Sequence, residues 1–363
     1  MENSKVLQED FEYILNSEVD FNKFKNKTIL ITGATGLVGS LLVKTLLYAN
    51  ETRNYGIKVV ALIRNKDKAD KIFKEYKKEN LSYLIANLGK NEIEYSGGID
   101  YIIHTAAVTQ SKVMIQKPVE TIKTAINGTE ELLNLAVNKS VSSMVYVSSM
   151  EVYGQPSVTD KVKESDQGYI DLTSVRAGYP ESKRMCELLC TSYSSQYKLN
   201  VKSARLAQTF GAGILPTENR VFAQFARSAV NGEDIVLHTE GKSEGNYVYT
   251  ADAVKALFFL LLNGESGQAY NVSNEDNHMT IKEMAEMVIA NFAKNNQQKV
   301  VIDIPKENLG YAPDVKMWLS NRKLVNLGWK PQQDMIKSYQ RMILWIKGEK
   351  SNERKKGKRK EYF

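Results

Sequence analysis

The 363-residue chain holds only two cysteines and three histidines, and it has no apolar run long enough to enter a bilayer. Cys186 and Cys190 stand four apart in a helical pattern, so their side chains share a helix face, and a disulfide is not expected there. Both read as buried thiols. His104, His238 and His278 are scattered without ligand spacing, so no metal site is expected. The longest apolar stretch, residues 256–262, is far too short for a transmembrane helix. The first ten residues are polar and acidic, unlike a secretory leader, and a cytoplasmic location is the expectation. A composition of 42% hydrophobic and 25% charged residues excludes a wholly disordered chain.

The net charge of +7 suggests a polyanion partner until it is located. Residues 347–363 carry eight Lys and Arg against three Glu, so this tail alone holds +5. The body is close to neutral, and no nucleic-acid partner is expected. The tail itself reads as a solvated, disordered basic segment, with electrostatic attachment to a membrane or nucleic acid as the alternative.

What the chain does have is a glycine-rich turn at residues 28–39, Thr-Ile-Leu-Ile-Thr-Gly-Ala-Thr-Gly-Leu-Val-Gly. A buried strand pattern (Ile29, Leu30, Ile31) stops at Gly33, and a helical pattern (Leu37, Val38, Leu41, Leu42, Leu46) opens at once. Gly33 lets the chain turn, Gly36 lets backbone N–H groups approach a pyrophosphate, and Gly39 lets helix pack on strand. The helix N-terminus then offers unpaired N–H donors to the anion. The spacing is Gly-x-x-Gly-x-x-Gly rather than the common Gly-x-Gly-x-x-Gly.

Strand-like runs recur at 28–32, 57–63, 82–86, 99–104, 143–148 and 200–206 with helical patterns between them. Such alternation predicts a doubly wound parallel α/β sheet of Rossmann type. An amphipathic helical lead is expected over residues 1–26, and the nucleotide-binding domain over 27–210 plus 246–262. A smaller interleaved α/β substrate domain follows at 211–245 plus 263–346, then the basic tail.

Tyr179 and Lys183 stand four apart, on one face of a helix. An ammonium beside a phenol favours the phenolate, so Lys183 is expected to lower the Tyr179 pKa. A tyrosine so tuned can accept a hydroxyl proton as hydride leaves the same carbon, or donate one in reverse. Upstream, the run Val145-Tyr-Val-Ser-Ser149 is a strand ending in hydroxyls that can bond the same substrate oxygen.

At this point the chain resembles the extended short-chain dehydrogenase/reductase family, the nucleotide-sugar epimerases, dehydratases, decarboxylases and reductases. The resemblance covers roughly residues 27–345. It runs through Thr32-Gly-Ala-Thr-Gly-Leu-Val-Gly39, His104-Thr-Ala-Ala107, Asn127-Gly-Thr129, Ser148-Ser-Met-Glu-Val-Tyr-Gly154, Tyr179-x-x-x-Lys183, Arg205-Leu-Ala-Gln-Thr-Phe-Gly211 and Leu327-Gly-Trp-Lys-Pro331. It implies Ser149, Tyr179 and Lys183 as the catalytic set, with Lys183 also on the nicotinamide ribose, and Glu151 near the sugar's C5 or carboxylate. It implies a cofactor site of Gly33, Thr35, Gly36, Leu37, Val38, Gly39, Arg64, Asn65, Asn87, Leu88, Thr105, Ala106 and Ala107. Thr109, Gln208 and Arg220 join Ser149 and Glu151 as substrate-binding candidates. His104 reads as packing. The partners implied are a small-molecule substrate, a nucleotide sugar or a sugar phosphate, and a second copy of the chain through helices at 117–138 and 179–197. The dimer face would carry Leu132, Leu133, Leu135, Val137, Leu188, Leu189 and Tyr193.

Three departures narrow the expectation. Where an NAD enzyme has a carboxylate for the ribose hydroxyls, the second strand ends in Arg64, which can clamp a 2′-phosphate. NADP is therefore expected over NAD, with a solvated loop arginine as the bland alternative. Met150 stands where 4,6-dehydratases have an acid, and methionine has no proton to give. Gly245 occupies the place of a diphosphate-binding arginine, and residues 306–314 contain no second one; Arg220 or Lys242 would have to substitute. The leading expectation is hydride transfer at C4 of a nucleotide sugar, feeding polysaccharide synthesis. Reduction of a ketose phosphate to an alditol phosphate, a UDP-glucuronate-decarboxylase-like reaction and a non-catalytic dinucleotide sensor stand as alternatives.

Overall fold

The computed structural model describes residues 2–77, 79–90, 93–305 and 315–360, with residues 2–4 and 349–360 described by backbone alone. Helix α1 (Glu2–Leu15) leads into an alternating series: β1 (Thr28–Thr32), α2 (Leu37–Arg53), β2 (Lys58–Ile63), α3 (Lys66–Ile72), β3 (Leu81–Ile85), β4 (Tyr101–His104), α4 (Ser111–Gln116), α5 (Pro118–Asn138), β5 (Ser143–Ser149), α6 (Gly178–Tyr197) and β6 (Val201–Leu206). There follow β7 (Gln208–Phe210), α7 (Val221–Asn231), β8 (Ile235–Leu237), β9 (Glu244–Tyr249), α8 (Thr250–Asn263), β10 (Ala269–Val272), β11 (Asn274–Thr280), α9 (Ile281–Phe292), β12 (Val300–Ile302), α10 (Arg322–Asn326) and α11 (Met335–Lys360). Each of the six expected strands forms within two residues of its expected bounds.

Seven strands make one parallel sheet in the order β3-β2-β1-β4-β5-β6-β10. Both faces are covered. Ile29 and Ile31 of β1 join the cluster that α2 and α8 build, while Leu30 between them joins the cluster with Leu132 and Leu133 of α5 and Cys186 of α6. This is the period-2 alternation of a strand, with both sides apolar because both are buried. Helix α8 is buried from Thr250 to Leu261; it is apolar on most of its surface, and its two buried charged residues are partnered, Asp252 by Tyr13 and Lys255 by the Lys330 carbonyl and Glu18. The order of strands reverses between β1 and β4, and the loops after them open the crevice where such sheets bind ligands.

The smaller unit holds the sheets β11-β9-β7 and β12-β8 with helices α7, α9 and α11 around Phe210, Phe222, Tyr247 and Tyr339. Three strands sit otherwise than expected. Strand β10 completes the large sheet rather than belonging to the smaller domain, while β7 and β9, expected wholly or mostly in the nucleotide-binding domain, pair with each other in the separate sheet β11-β9-β7. Strands of three or four residues carry too little periodicity to be assigned by pattern.

The N-terminal lead is helical and is part of the core. Val6, Phe11 and Ile14 are buried, and the buried Asp10 carboxylate accepts from Tyr249 Oη at 2.7 Å and Arg341 Nε at 2.8 Å. At the other end, α11 carries the basic segment as a helix through Lys360, where a disordered tail is expected; once a helix is nucleated by packing, each further residue adds a hydrogen bond. Leu132, Leu133 and Leu135, expected on a dimer face, instead pack beneath the sheet of their own chain, because α5 turns its apolar stripe inward. Cys186 and Cys190 are free and buried. Among the described residues, no helix is long and apolar enough to cross a membrane.

Candidate active site

The glycine turn is built as tightly as its residues allow. Gly33 has φ +63, and a Cβ there would lie 2.7 Å from Thr105 Oγ1 and 2.8 Å from Ala106 N. A Cβ on Gly39 would collide with the Gly33 carbonyl, so α2 packs on the strand only with glycine here. Gly36 is the N-cap of α2 and offers no side-chain cap, which leaves the first N–H groups of the helix turned to the crevice. The residues thus fit a dinucleotide pyrophosphate: a bare helix N-terminus faces a backbone cradle with no side chain in the way. Thr35, Leu37 and Val38 are half-buried on the same turn.

The wall opposite is held by a chain of hydrogen bonds through His104. Ala106 N donates to Thr32 Oγ1 at 3.1 Å, and Thr32 Oγ1 lies 2.7 Å from His104 Nδ1. On the far side His104 Nε2 lies 3.2 Å from Thr129 Oγ1, whose hydroxyl donates to the Ala125 carbonyl at 2.7 Å. Because Thr129 has given its proton to Ala125, it must accept from Nε2–H, so Nδ1 is the acceptor and the ring is neutral. Burial holds the His104 pKa down to about 3, with the Lys183 charge adding to the effect. The histidine is packing, and it fixes Thr105, Ala106 and Ala107 beside the glycine turn.

Arg64 is exposed at the end of β2 with no ion pair to any described residue. Asn65 is engaged, its Oδ1 accepting from Lys68 N at 2.8 Å as the N-cap of α3. Asn87 is exposed and Leu88 half-buried in the turn after β3; a Cβ on Gly128 of α5 would meet Leu88 Cβ at 2.9 Å, so α5 and this turn touch.

Strand β5 and helix α6 bring the expected catalytic set, Ser149, Tyr179 and Lys183, together. Ser149 ends β5 and caps a 3₁₀ turn at Met150–Tyr153, its Oγ accepting from Glu151 N at 3.2 Å. Tyr179 opens α6 and is buried, with the Ser149 hydroxyl near enough to act as a hydrogen-bond donor that lowers its pKa. The net effect runs the other way. Burial and the negative Glu151 push the Tyr179 phenol up to about 12, against Ser149, Arg176 and Arg220. Lys183 does not reverse this: its Nζ donates to the Val147 carbonyl at 2.7 Å, and burial draws its own pKa down to about 8. The expected lowering of Tyr179 by Lys183 is therefore corrected, because desolvation acts on both groups and disfavours both charges.

Met150 is half-buried and offers no proton. Glu151 is gripped by Arg176, whose Nη2 donates to both carboxylate oxygens at 3.0 and 2.7 Å. The Arg176 guanidinium carbon also stands 5.5 Å from the centre of the Tyr179 ring. Sequence alone does not single out Arg176; its one signal is a place three residues before Tyr179, on the turn that leads into α6. A buried pair stiffens the floor: Arg205 Nη2 donates to Glu187 at 2.6 Å and Nη1 to Tyr153 Oη at 2.9 Å, tying the 3₁₀ turn to β6 and α6.

Of the substrate candidates, Arg220 caps α7 and is close enough for its charge to act on Tyr179, but Glu218 holds it through Nε at 3.0 Å and Nη2 at 2.7 Å. Gln208 lies half-buried on β7 opposite Tyr247 of β9. Thr109 is exposed in the loop before α4. Lys242 pairs with Glu240 on the surface. At Gly245 a Cβ would meet Tyr247 Oη at 3.4 Å, so a tyrosine ring borders the place of the missing arginine. Residues 306–314 lie outside the described residues.

The sequence and the fold have parallels among known proteins. UDP-glucuronic acid decarboxylase 6 of Arabidopsis thaliana is 30% identical over 308 residues, covering 85% of either chain. UDP-N-acetyl-alpha-D-glucosaminuronate decarboxylase of Bacillus cytotoxicus is 29% identical over 271 residues, 72% of this chain and 78% of that one. The structure of an epimerase from Methanothermobacter thermautotrophicus superposes with a TM-score of 0.76 at 21% identity, covering 96% of this chain and 97% of the other. Residues 29–273 match the model of the NAD dependent epimerase/dehydratase family. With its glycine turn, its Ser149–Tyr179–Lys183 set and more than half its length inside that match, the chain belongs to this enzyme family.

Proposed function

We propose that the chain decarboxylates a nucleotide-linked hexuronate through hydride transfer at C4. The observation that carries this reading is the pair Met150–Glu151 beside Tyr179: the site has a carboxylate facing the phenol and no acid where 6-hydroxyl elimination needs one. The relatives named above, both decarboxylases of UDP-linked uronic acids, support it.

The nicotinamide ring of a bound dinucleotide supplies the hydride acceptor. Tyr179 takes the C4 hydroxyl proton as C4 is oxidised, and Ser149 donates a hydrogen bond to the same oxygen. The product is a β-keto acid. Breaking its C5–C6 bond releases carbon dioxide and leaves the electron pair on the C4 oxygen as an enolate. Ser149 and the now-protonated Tyr179 are the donors placed to hold that charge. Lys183, beneath the Tyr146 ring at 4.6 Å, keeps a cation near this oxygen and is free to exchange its Val147 bond for a ribose hydroxyl.

Arg64 favours NADP as the dinucleotide. The chain acts as a homodimer, supported by apolar groups left exposed on α5 and α6. Reduction of a sugar phosphate is the second reading, favoured by Gly245 and the lack of arginine at 306–314, which weaken a diphosphate site. A panel of nucleotide hexuronates, neutral nucleotide sugars and ketose phosphates, assayed for carbon dioxide release and for dinucleotide absorbance, tests the choice. Turnover of a ketose phosphate with no carbon dioxide from any hexuronate rejects the leading reading.

A further inference from the structure

Arg176 is held by Glu151 in a way that leaves it half spent. Both hydrogen bonds to the carboxylate come from Nη2, at 3.0 and 2.7 Å. Nη1 is buried and has no hydrogen-bond partner among the described residues. A guanidinium is a planar fork whose two ends suit a carboxylate each, and a buried donor without an acceptor is costly. The side chain as a whole is a third exposed while Nη1 itself is covered, so a ligand meets that edge only as the guanidinium turns towards it. Its guanidinium stands over the Tyr179 ring at 5.5 Å, and its charge acts on the Tyr179 oxygen, the atom that takes the substrate proton.

Glu151 sets a problem that this arrangement answers. A hexuronate brought to Tyr179 carries its carboxylate towards a site that already holds one, and two carboxylates repel. Arg220, another cation whose charge reaches Tyr179, is clamped at Nε and Nη2 by Glu218. Residues 306–314 and position 245 supply no further arginine.

Resting on the decarboxylase reading above, we infer that Arg176 is the specificity residue for the substrate's C6 carboxylate: it bridges that carboxylate and Glu151, offering its unused Nη1 edge to the ligand. It is a positioning residue, which selects an acid over a neutral sugar and screens Glu151 from it. Loss of the carboxylate as carbon dioxide removes the ligand from Arg176 and returns the guanidinium to Glu151 alone.

The test measures dissociation constants of UDP-glucuronate and UDP-glucose on the dinucleotide-loaded full chain by calorimetry. The parent is expected to bind the uronate more tightly. Arg176→Gln is expected to lose about 10–100-fold for the uronate, the value of a charge-assisted contact, with UDP-glucose changed less than about threefold. Arg176→Lys, which keeps the charge and the fold but not the fork, is expected to lose part of the preference. Glu151→Gln is expected to tighten uronate binding, since Arg176 is then no longer shared; a guanidinium that merely props Glu151 would not produce this. Equal losses for both ligands, or an unchanged preference in both Arg176 variants, overturn the inference while the decarboxylase reading stands. A parent that shows no preference and releases no carbon dioxide from the uronate overturns both.

Discussion

The Lys183 ammonium nitrogen stands 5.9 Å from the centre of the Tyr179 ring and spends its short hydrogen bond, 2.7 Å, on the Val147 carbonyl. The two residues are one helical turn apart, yet the lysine is bonded to strand β5 and the phenol is held neutral by burial and by Glu151.

Tyr179→Phe removes only the acidic hydroxyl from a buried ring, so the fold and dinucleotide affinity should survive. The kcat should fall by about 10²–10⁴-fold with KM little changed, the range for loss of a general acid–base. Steady-state kinetics with a thermal melt checks this; near-parental turnover would remove Tyr179 from the mechanism.

Glu151 raises the Tyr179 pKa, so Glu151→Gln should lower it. The base form of Tyr179 then populates at lower pH, and the rising limb of kcat/KM against pH should move to the acid side even if the plateau falls. A limb that stays in place or moves to higher pH would show that the carboxylate's field does not govern the tyrosine.

His104 is neutral in the fold, with a pKa of about 3 against about 6.5 in the unfolded chain. The unfolded state binds the extra proton between these values, so stability is fully present above pH 6.5 and is lost as pH falls through the window towards 3. His104→Gln should flatten this acid loss while lowering stability at pH 8, because Thr32 and Thr129 lose part of their network. Chemical denaturation of both proteins at several pH values decides it; parallel curves would refute the assignment.

Exposed at the end of β2, Arg64 is free to meet a 2′-phosphate. NADPH should bind about tenfold or more tightly than NADH, and Arg64→Ala should erase most of the difference. Equal dissociation constants in the parent would end the argument for NADP.

Val119 of α5 and Met185 and Leu188 of α6, on two helices that pack together, are 57%, 44% and 58% exposed. A symmetric contact between two copies would cover them. Leu188→Glu should convert a dimer into a folded monomer in sedimentation at micromolar concentration; a monomeric parent would exclude the dimer.

The sheet, the glycine turn and the Tyr179–Lys183 spacing were legible in the residues, because strand and helix periods and the steric needs of Gly33 and Gly39 are local properties of the chain. The partners of Glu151 and Lys183 were not. Arg176 lies twenty-five residues from Glu151, and the Val147 carbonyl thirty-six from Lys183; each meets its partner only because β5 and the turn after it pack against α6 and the turn before it. Nor could spacing set the Tyr179 pKa, since desolvation and the field of Glu151 exist only in the folded site. Leu132 and Leu133 make the same point for the surface: their pattern says that they are covered, and the tertiary structure alone decides that the cover is their own sheet.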